Sequence, residues 1–360
     1  GRGETSHPIF SHRLEGRTME IKLGMGLFWK DESYDEVVAL IEECEALGYH
    51  QLWISNEKFF RDMYVTATVA AEHTSKPMIG TFIADPYSYH PALTAMAAGT
   101  LDEVSGGRAI LGLGAGGTGF PAMGIERRKP AKAIKEAVLL IRDLWRGGVV
   151  NFQGEVIQFR SGRLNFEARP DIPIVVATRG NLVLQTAGEV ADGVMIATYA
   201  EPAGIRHALS MVEKGAQRVG RSLDDLTIIS RVDACISQDR RAAIEAVKPM
   251  IAVLLWTSYP DREFVRRVGL KVPDELEEII AKRDYNLMAP NAHLISDEFA
   301  EKFSWAGTAE EVAHKVAEVV NMGIENITFL PHPPAGGTVH ETMREFAQTV
   351  RPMVEEMVGG

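Results

Sequence analysis

Three absences limit what this chain can be: it has few cysteines, no excess of basic residues and no long apolar run. The two cysteines among its 360 residues, Cys44 and Cys235, suggest neither a metal site nor a disulfide framework. Lysine and arginine number 38 against 49 aspartate and glutamate, a net charge of −11, so we expect neither nucleic acid nor a membrane as partner. No apolar run reaches the roughly 18 residues that span a bilayer. We therefore expect a cytoplasmic protein.

Motifs of several enzyme classes are also missing. The sequence has no H-E-x-x-H pair, no His/Asp/Glu cluster at metal-ligand spacing and no G-x-S-x-G nucleophile elbow, so no metal is expected. Residues 1–18 are polar and lack the apolar core of a signal peptide. We interpret them as an N-terminal extension or a tag, with Met19 as a natural start, and residues 19–360 as a single domain.

Short apolar runs and helical segments alternate along the rest of the chain. Eight such units at this length predict an α/β fold with a parallel sheet, closed into a (β/α)8 TIM barrel in preference to an open sheet. Two segments interrupt the alternation, a hairpin-like stretch at about residues 149–170 and an irregular, proline-containing stretch at about residues 257–303. We interpret them as insertions after the fourth helix and after the seventh strand and its helix.

A glycine-rich loop follows the fourth strand. Gly112, Gly114 and Gly117 form a literal G-x-G-x-x-G, but a dinucleotide fingerprint belongs to the first strand–helix turn of its unit. Here about a dozen loop residues precede the next helix, and the next strand ends in Thr178-Arg179 without an acid. We therefore reject a Rossmann site. The glycines are expected to let the backbone approach a bulky group at the barrel mouth, where chemistry sits in this fold; a plain turn is the alternative.

The loop after the fifth strand has the composition of an anion site. Thr178, Arg179, Gly180 and Asn181 offer a hydroxyl, a permanent cation, an unhindered backbone N–H and the start of a helix. An acidic protein needs such a local device to hold an anion, so we predict a phosphate site here. The alternative is a surface arginine beside a simple turn.

Glu57 and His90 are the candidate catalytic residues. Glu57 follows the second strand among aromatic neighbours, where its pKa can be raised; a structural ion pair with Lys58 or Arg61 is the alternative. His90 stands at the start of the third helix and is as well explained as a plain helix-start residue. His332, after the eighth strand, is a weaker candidate, with a surface-loop histidine as the alternative.

A family resemblance is carried by the stretch GLGAGGTGFPAMGIERRKPAKAIKEAV. It resembles the bacterial luciferase-like superfamily of flavin and deazaflavin oxidoreductases, and within it the branch of coenzyme F420-dependent methylenetetrahydromethanopterin reductases. Four further segments agree in order and spacing, so that the resemblance covers most of residues 19–331. They are residues 49–71, 79–114, 173–196 and 305–331.

The resemblance implies the same barrel, with a tricyclic ring in its mouth against the third strand. Family members often hold a non-proline cis peptide there, and the matching bond is Phe82–Ile83. The cofactor phosphate would lie at the loop after the fifth strand, which agrees with the anion site. The expected cofactor-binding residues are Phe82, Ile83, Ala84, Asp85, Gly114, Ala115, Gly116, Thr178, Arg179, Gly180 and Asn181.

The implied function is a coenzyme F420-dependent oxidoreductase that moves a hydride to or from a small organic substrate. The alternative is an FMN-dependent monooxygenase that uses oxygen and receives reduced flavin from a partner reductase. The basic run Arg127, Arg128 and Lys129 would suit the polyglutamate tail of F420 and favours the deazaflavin, although a solvated loop also explains it. Relatives commonly dimerise, so a homodimer is expected.

The acid–base pair of the family is not reproduced in this sequence. Gly26 and Gly117 stand where relatives carry acidic residues, and Glu57 stands where some carry histidine. The reactions of relatives therefore cannot be transferred directly, and a non-catalytic flavin-binding homologue remains an alternative. So does a barrel lyase or aldolase with a Schiff base on Lys58.

Overall fold

The structure of the chain, a computed structural model, describes residues 20–359, so the predicted extension at residues 1–18 lies outside the described residues. Eleven strands occur in the described part. They are β1 (Lys22–Leu27), β2 (Gln51–Ser55), β3 (Met78–Phe82), β4 (Ala109–Leu113), β5 (Val150–Gln153), β6 (Gln158–Gly162), β7 (Ile174–Thr178), β8 (Gly193–Ala197), β9 (Thr227–Ile236), β10 (Ser304–Gly307) and β11 (Asn326–Pro331).

Eight parallel strands close into a ring. Their order is β9-β11-β1-β2-β3-β4-β7-β8, and pairing of β8 with β9 completes the circle. In this register Leu52 of β2 lies opposite Met25 of β1 on one side and Ile79 of β3 on the other. The predicted TIM barrel is confirmed, and the carboxyl ends of all eight strands meet at one face.

The ring strands are apolar on both faces because the barrel interior and the helix layer both bury them. Every residue of β4 (AILGL) and β8 (GVMIA) is buried. Trp53 fills the interior, and a Cβ on Gly80 would lie 2.4 Å from its ring, so only glycine fits opposite the indole. The interior cluster comprises Trp53, Ile110, Val175, Met195 and Ile229.

Helices form the outer layer and begin at the polar residues expected of them. Ser33 and Thr308 each form a capping box, with Glu36 and Glu311 respectively. The helices are α1 (Tyr34–Ala46), α2 (Met63–Glu72), α3 (Pro91–Val104), α4 (Phe120–Met123), α5 (Pro130–Trp145), α6 (Asn181–Val190), α7 (Pro202–Gln217), α8 (Arg240–Ser258), α9 (Glu263–Arg267), α10 (Asp274–Ala281), α11 (Asp297–Phe303), α12 (Ala309–Val320), α13 (Val339–Glu345) and α14 (Arg351–Gly359). Between residues 20 and 359, no helix has the length and apolar character needed to cross a bilayer.

Both interruptions of the alternation have structure of their own. The antiparallel hairpin β5–β6 lies between α5 and β7, and short helices α9, α10 and α11 lie between α8 and β10. Strand β10 was missed from the sequence, because SWAG is only four residues long and follows directly after α11. It pairs with the last residues of the ten-residue strand β9, beyond the part of β9 that pairs with β8.

Candidate active site

A cavity of about 530 Å³ opens at the carboxyl ends of the ring strands. We call it the first cavity. Glu57 lines it from the loop after β2, and eight of the eleven predicted cofactor-binding residues line it as well: Phe82, Ile83, Asp85, Ala115, Gly116, Thr178, Arg179 and Gly180. Ala84, Gly114 and Asn181 lie beside these residues in the chain, outside the lining.

The end of β3 supplies one wall of the first cavity. The Phe82–Ile83 peptide bond is cis, as the resemblance implied. Asn56 holds both residues, because its backbone N–H donates to Phe82 O at 2.7 Å and its side-chain Nδ2 donates to Ile83 O at 2.8 Å. Ala84 then continues the sheet by bridging to Leu113. The wall is therefore fixed by hydrogen bonds from the neighbouring strands on both sides.

The glycine-rich loop after β4 packs against this wall. A Cβ on Gly114 would lie 2.5 Å from Ile83 Cδ1, and one on Gly116 would lie 3.0 Å from Asp85 Cβ. Gly116 also has a φ of +64°, which disfavours any side chain there. The glycines therefore serve the close approach of two loops at the barrel mouth, and the approach of the backbone to a bulky group stays a prediction.

Arg179 lines the first cavity and carries a positive charge without a counter-ion in the described residues. Its Nη2 donates to Thr257 Oγ1 at 3.3 Å, and its guanidinium lies 5.1 Å from the centre of the Phe264 ring. Among residues 20–359, no carboxylate lies within ion-pair distance of it. Burial, reinforced by the charge of Arg127, lowers the pKa of Arg179 to about 10, so the group is still charged at neutral pH. An unpaired, desolvated cation indicates a site made for an anion.

The start of α6 adds backbone donors beside Arg179. Gly180 is the N-cap residue, and no side chain caps this helix end. The Gly180 N–H lies 3.2 Å from Thr178 Oγ1, which accepts from it. Free N–H groups in the first turn of a helix favour an anion. The amide of Asn181 is already engaged, since its Oδ1 lies 2.7 Å from His207 Nε2.

Glu57 is the second ionisable group of the cavity, and its pKa is shifted towards neutrality. Burial raises the pKa of Glu57 to about 7, while the Thr118 hydroxyl and the charge of Lys58 oppose the shift. Its Oε1 atom is buried without a hydrogen-bond partner in the described part of the chain. Lys58 does not pair with it, because Lys58 Nζ binds Asp85 Oδ2 at 3.1 Å. Nor does Arg61, which donates to Lys30 O.

Asp85 and Lys58 have structural partners. Asp85 is 1% exposed and accepts from the backbone N–H groups of Tyr87 and Ser88 and from the Ser88 hydroxyl, as well as from Lys58. This network fixes the turn after β3. It also occupies the Lys58 ammonium, which therefore offers little support for the Schiff-base alternative.

His90 lies outside the lining of the first cavity. Its Nδ1 accepts from Ala92 N at 3.1 Å and so caps α3, while its Nε2 lies 3.1 Å from Gln158 O in the β5–β6 hairpin. Both ring nitrogens are thus within hydrogen-bond distance of backbone atoms. Capping and contact with the hairpin account for this side chain, and we assign it no part in the chemistry proposed below.

The three residues of the basic run, Arg127, Arg128 and Lys129, have different surroundings. Arg127 lines the first cavity and donates to Gly116 O at 2.9 Å. Lys129 pairs with Glu155, and Arg128 lies 3.8 Å from Glu126. Only the first of the three predicted cations therefore faces the cavity.

Sequence reasoning missed two charged residues of β9. Arg231 and Asp233 line the first cavity, 3.4 Å apart. His332 Nε2 lies 2.8 Å from Asp233 Oδ1. Burial raises the pKa of Asp233, but Arg231 and His332 outweigh this, and the pKa lies below its usual value. The available signal was two charges within a strand whose other residues are mostly apolar, and charges in a mostly buried strand are rare without a functional or pairing reason.

The geometry has counterparts in known proteins. A family model described as luciferase-like monooxygenase matches residues 10–326. The 5,10-methylenetetrahydromethanopterin reductase of Archaeoglobus fulgidus is 31% identical over 307 residues, covering 83% of this chain and 90% of the relative. The reductase of the same name from Methanopyrus kandleri is 30% identical over 357 residues, covering 94% of this chain and 99% of the relative.

A solved structure agrees with the sequence relatives. The coenzyme F420 dependent tetrahydromethanopterin reductase from Methanopyrus kandleri superposes with a TM-score of 0.79 at 29% identity, covering 92% of this chain and 99% of that one. The barrel and its insertions are thus matched over nearly the whole length of both chains.

Proposed function

Because the chain belongs to the luciferase-like monooxygenase family, we propose that it is an oxidoreductase that binds coenzyme F420 in the first cavity and moves a hydride between the coenzyme and a small organic substrate. The superfamily and the reductase branch named from the sequence are confirmed by the relatives. F420 is named as the cofactor of the similar reductase of known structure, which supports the same coenzyme here.

The observation that carries the proposal is the unpaired Arg179 at the start of α6. A guanidinium, a helix N-terminus without a side-chain cap and the Thr178 hydroxyl together fit a phosphate group. Another part of the lining, formed by Phe82 and Ile83, is apolar and fits the flat face of a ring system. A ligand with a ring at one end and a phosphate at the other matches both halves of the cavity.

F420 is favoured over FMN by the distribution of positive charge. Arg127 lines the first cavity together with Arg179, and its charge adds to burial in lowering the pKa of Arg179, so two guanidinium groups repel each other there. F420 carries further carboxylates beyond its phosphate, and they would relieve this mutual repulsion. FMN, the cofactor of the alternative monooxygenase, carries the phosphate alone.

The coenzyme, when bound, supplies the hydride chemistry, and the residues of this chain position the reactants and handle the proton. Arg179 and the first turn of α6 bind the phosphate, and the β3 wall orients the ring. Glu57 is the proton-handling residue that we propose. Burial raises the pKa of its carboxyl group to about 7, close to neutral pH, so Glu57 can donate or accept a proton there.

The proposal also covers the cellular location and the oligomeric state of the protein. We propose a cytoplasmic location, which two free, buried cysteines support. A homodimer stays a prediction from the resemblance. A partner flavin reductase belongs only to the FMN alternative.

The test is a titration of the purified protein with oxidised F420 and with FMN, followed by fluorescence at fixed protein concentration. We expect tighter binding of F420, and a loss of affinity in Arg179→Ala that Arg146→Ala does not share. Arg146 is the matched control because it is exposed, pairs with Asp143 and lies outside the lining of the first cavity. A preference for FMN would transfer the assignment to the monooxygenase, and binding of neither would refute the cofactor site.

A further inference from the structure

A second cavity, of about 480 Å³, adjoins the first. Phe28, Met250, Val253 and Leu330 line both, so the two spaces share an apolar wall. The second cavity continues under the 257–303 insertion, which contributes apolar and aromatic side chains, Tyr285 and Met288 among them. A molecule in the second cavity would therefore lie next to one in the first, in contact with the same apolar side chains.

His332 is one of the polar residues that line the second cavity. Its Nε2 faces Asp233 Oδ1 at 2.8 Å, and Asp233 is buried beside Arg231. When the ring is neutral and Nε2 carries the proton that it donates to the ionised carboxylate, Nδ1 is left as an acceptor nitrogen. Nδ1 has no hydrogen-bond partner in the described residues. A ligand that binds there must donate a hydrogen bond.

The charges around the second cavity argue against an anionic ligand. Lys30 and Glu32 are the two residues of opposite charge that line it within the described chain. The Lys30 ammonium lies 3.9 Å from Asp31. No arginine from residues 20–359 lines this space, in contrast to the first cavity. The lining therefore offers no guanidinium group for bidentate hydrogen bonds to the phosphate of a phosphorylated ligand.

Arg231 connects the two cavities. It pairs with Asp233 at 3.4 Å, and its guanidinium lies 4.7 Å from the centre of the Phe82 ring, on the wall that faces the coenzyme. The chain from His332 through Asp233 and Arg231 to Phe82 therefore holds the histidine in a fixed position relative to that wall.

We propose that the second cavity binds the substrate, and that this substrate is a neutral, largely apolar molecule with a hydroxyl group that donates to His332 Nδ1. The inference rests on the proposed function, because it takes the first cavity as the coenzyme site. His332 touches the ligand, and Asp233 and Arg231 are positioning residues.

The test measures binding without turnover, using two fluorinated probes. They are 1-(4-fluorophenyl)ethanol, which can donate, and its methyl ether, which cannot; their dissociation constants are measured by 19F NMR. We expect the wild type to bind the alcohol about 2- to 10-fold more tightly than the ether, the range of one neutral hydrogen bond. His332→Leu should remove this preference, and His332→Asn, which keeps an acceptor, should restore part of it.

Ala289→Trp is the second variant. Ala289 is exposed at the lining of the second cavity, so a large side chain there should fill the space without disturbing the core. We expect this variant to lose binding of both probes. F420 is titrated into every variant as a control. Equal probe binding by wild type, His332→Leu and Ala289→Trp, with F420 binding intact, would overturn this inference alone. Failure of all four proteins to bind F420 would instead refute the proposed function.

Discussion

Glu57 and Arg179 line the same cavity from different strands, and neither has an ion-pair partner in the described residues. Burial pushes both groups towards their neutral forms. It lowers the pKa of Arg179 to about 10 and raises that of Glu57 to about 7. The ordinary pKa of arginine is so high that the group stays a cation, whereas the glutamate becomes a group that titrates at neutral pH. The same desolvation therefore leaves a fixed cation at Arg179, where we propose the phosphate site, and a group that titrates near neutral pH at Glu57, where we propose proton handling.

The largest predicted effect is on the turnover rate, when Glu57 is replaced by a residue that cannot exchange a proton. Glu57→Gln keeps the shape of the side chain but cannot exchange a proton, so we expect the turnover rate at saturating coenzyme to fall about 10²- to 10⁴-fold. The affinity for F420 should stay unchanged, because the proposed phosphate site is at Arg179. Steady-state rates and fluorescence titrations of the same preparation would separate the two quantities. A loss of affinity with normal turnover would show that Glu57 binds the coenzyme and does not handle the proton.

Arg179→Met should produce the opposite result. Removing one partner of a buried charge pair costs about 2–5 kcal/mol, so F420 should bind at least about 30-fold more weakly. In the absence of coenzyme, the free energy of unfolding in urea should instead rise by about 1 kcal/mol, since an unpaired cation is replaced by an apolar side chain. Arg179→Lys, the matched control, keeps the charge and should not gain stability. A less stable Arg179→Met protein would contradict the idea of a costly unpaired cation.

The barrel and the positions of Glu57 and Arg179 at its mouth could be predicted from the sequence. The alternation of apolar runs and helices was sufficient for the barrel, because each parallel strand is buried on both faces. The barrel in turn placed Glu57 and Arg179 at the mouth, since both follow ring strands directly. The raised pKa of Glu57 was also foreseen from its aromatic surroundings, although its part in the reaction stays a prediction.

The site contacts that the sequence could not predict are formed between residues that lie far apart in the chain. The pairing of Asp233 with His332 exists because β9 and β11 are neighbours in the ring, an adjacency that neither local sequence reveals. His90 was ambiguous for a different reason. Its position before Pro91 fits a helix cap, and its proximity to the third strand fits a site, and only the contact with the β5–β6 hairpin distinguishes them.

The pH dependence of stability sharpens the comparison further. Glu57 has its pKa raised from an ordinary 4.5 to about 7, so between these values the folded protein binds more protons than the unfolded chain. The contribution of protonated Glu57 to the free energy of unfolding is fully present below pH 4.5. This contribution is lost as the pH rises towards 7, by about 3 kcal/mol in total. The difference in unfolding free energy between wild type and Glu57→Gln should fall by this amount over that range. Arg179 titrates far above it, so the difference between wild type and Arg179→Met should not change from pH 4.5 to 7.

The smallest effect should come from Asn181, which is next to the anion site in sequence but is turned to His207. Since its side-chain amide is already engaged, Asn181→Ala should change the affinity for F420 by less than about 2-fold, below the range of one lost hydrogen bond. The backbone N–H of this first helical turn remains in place in the variant, so any donation to the phosphate persists. The fluorescence titration used for Arg179→Met measures this directly. A 10-fold loss would mean that Asn181 leaves His207 to bind the coenzyme, and that the anion site includes side-chain donors on α6 beyond Arg179.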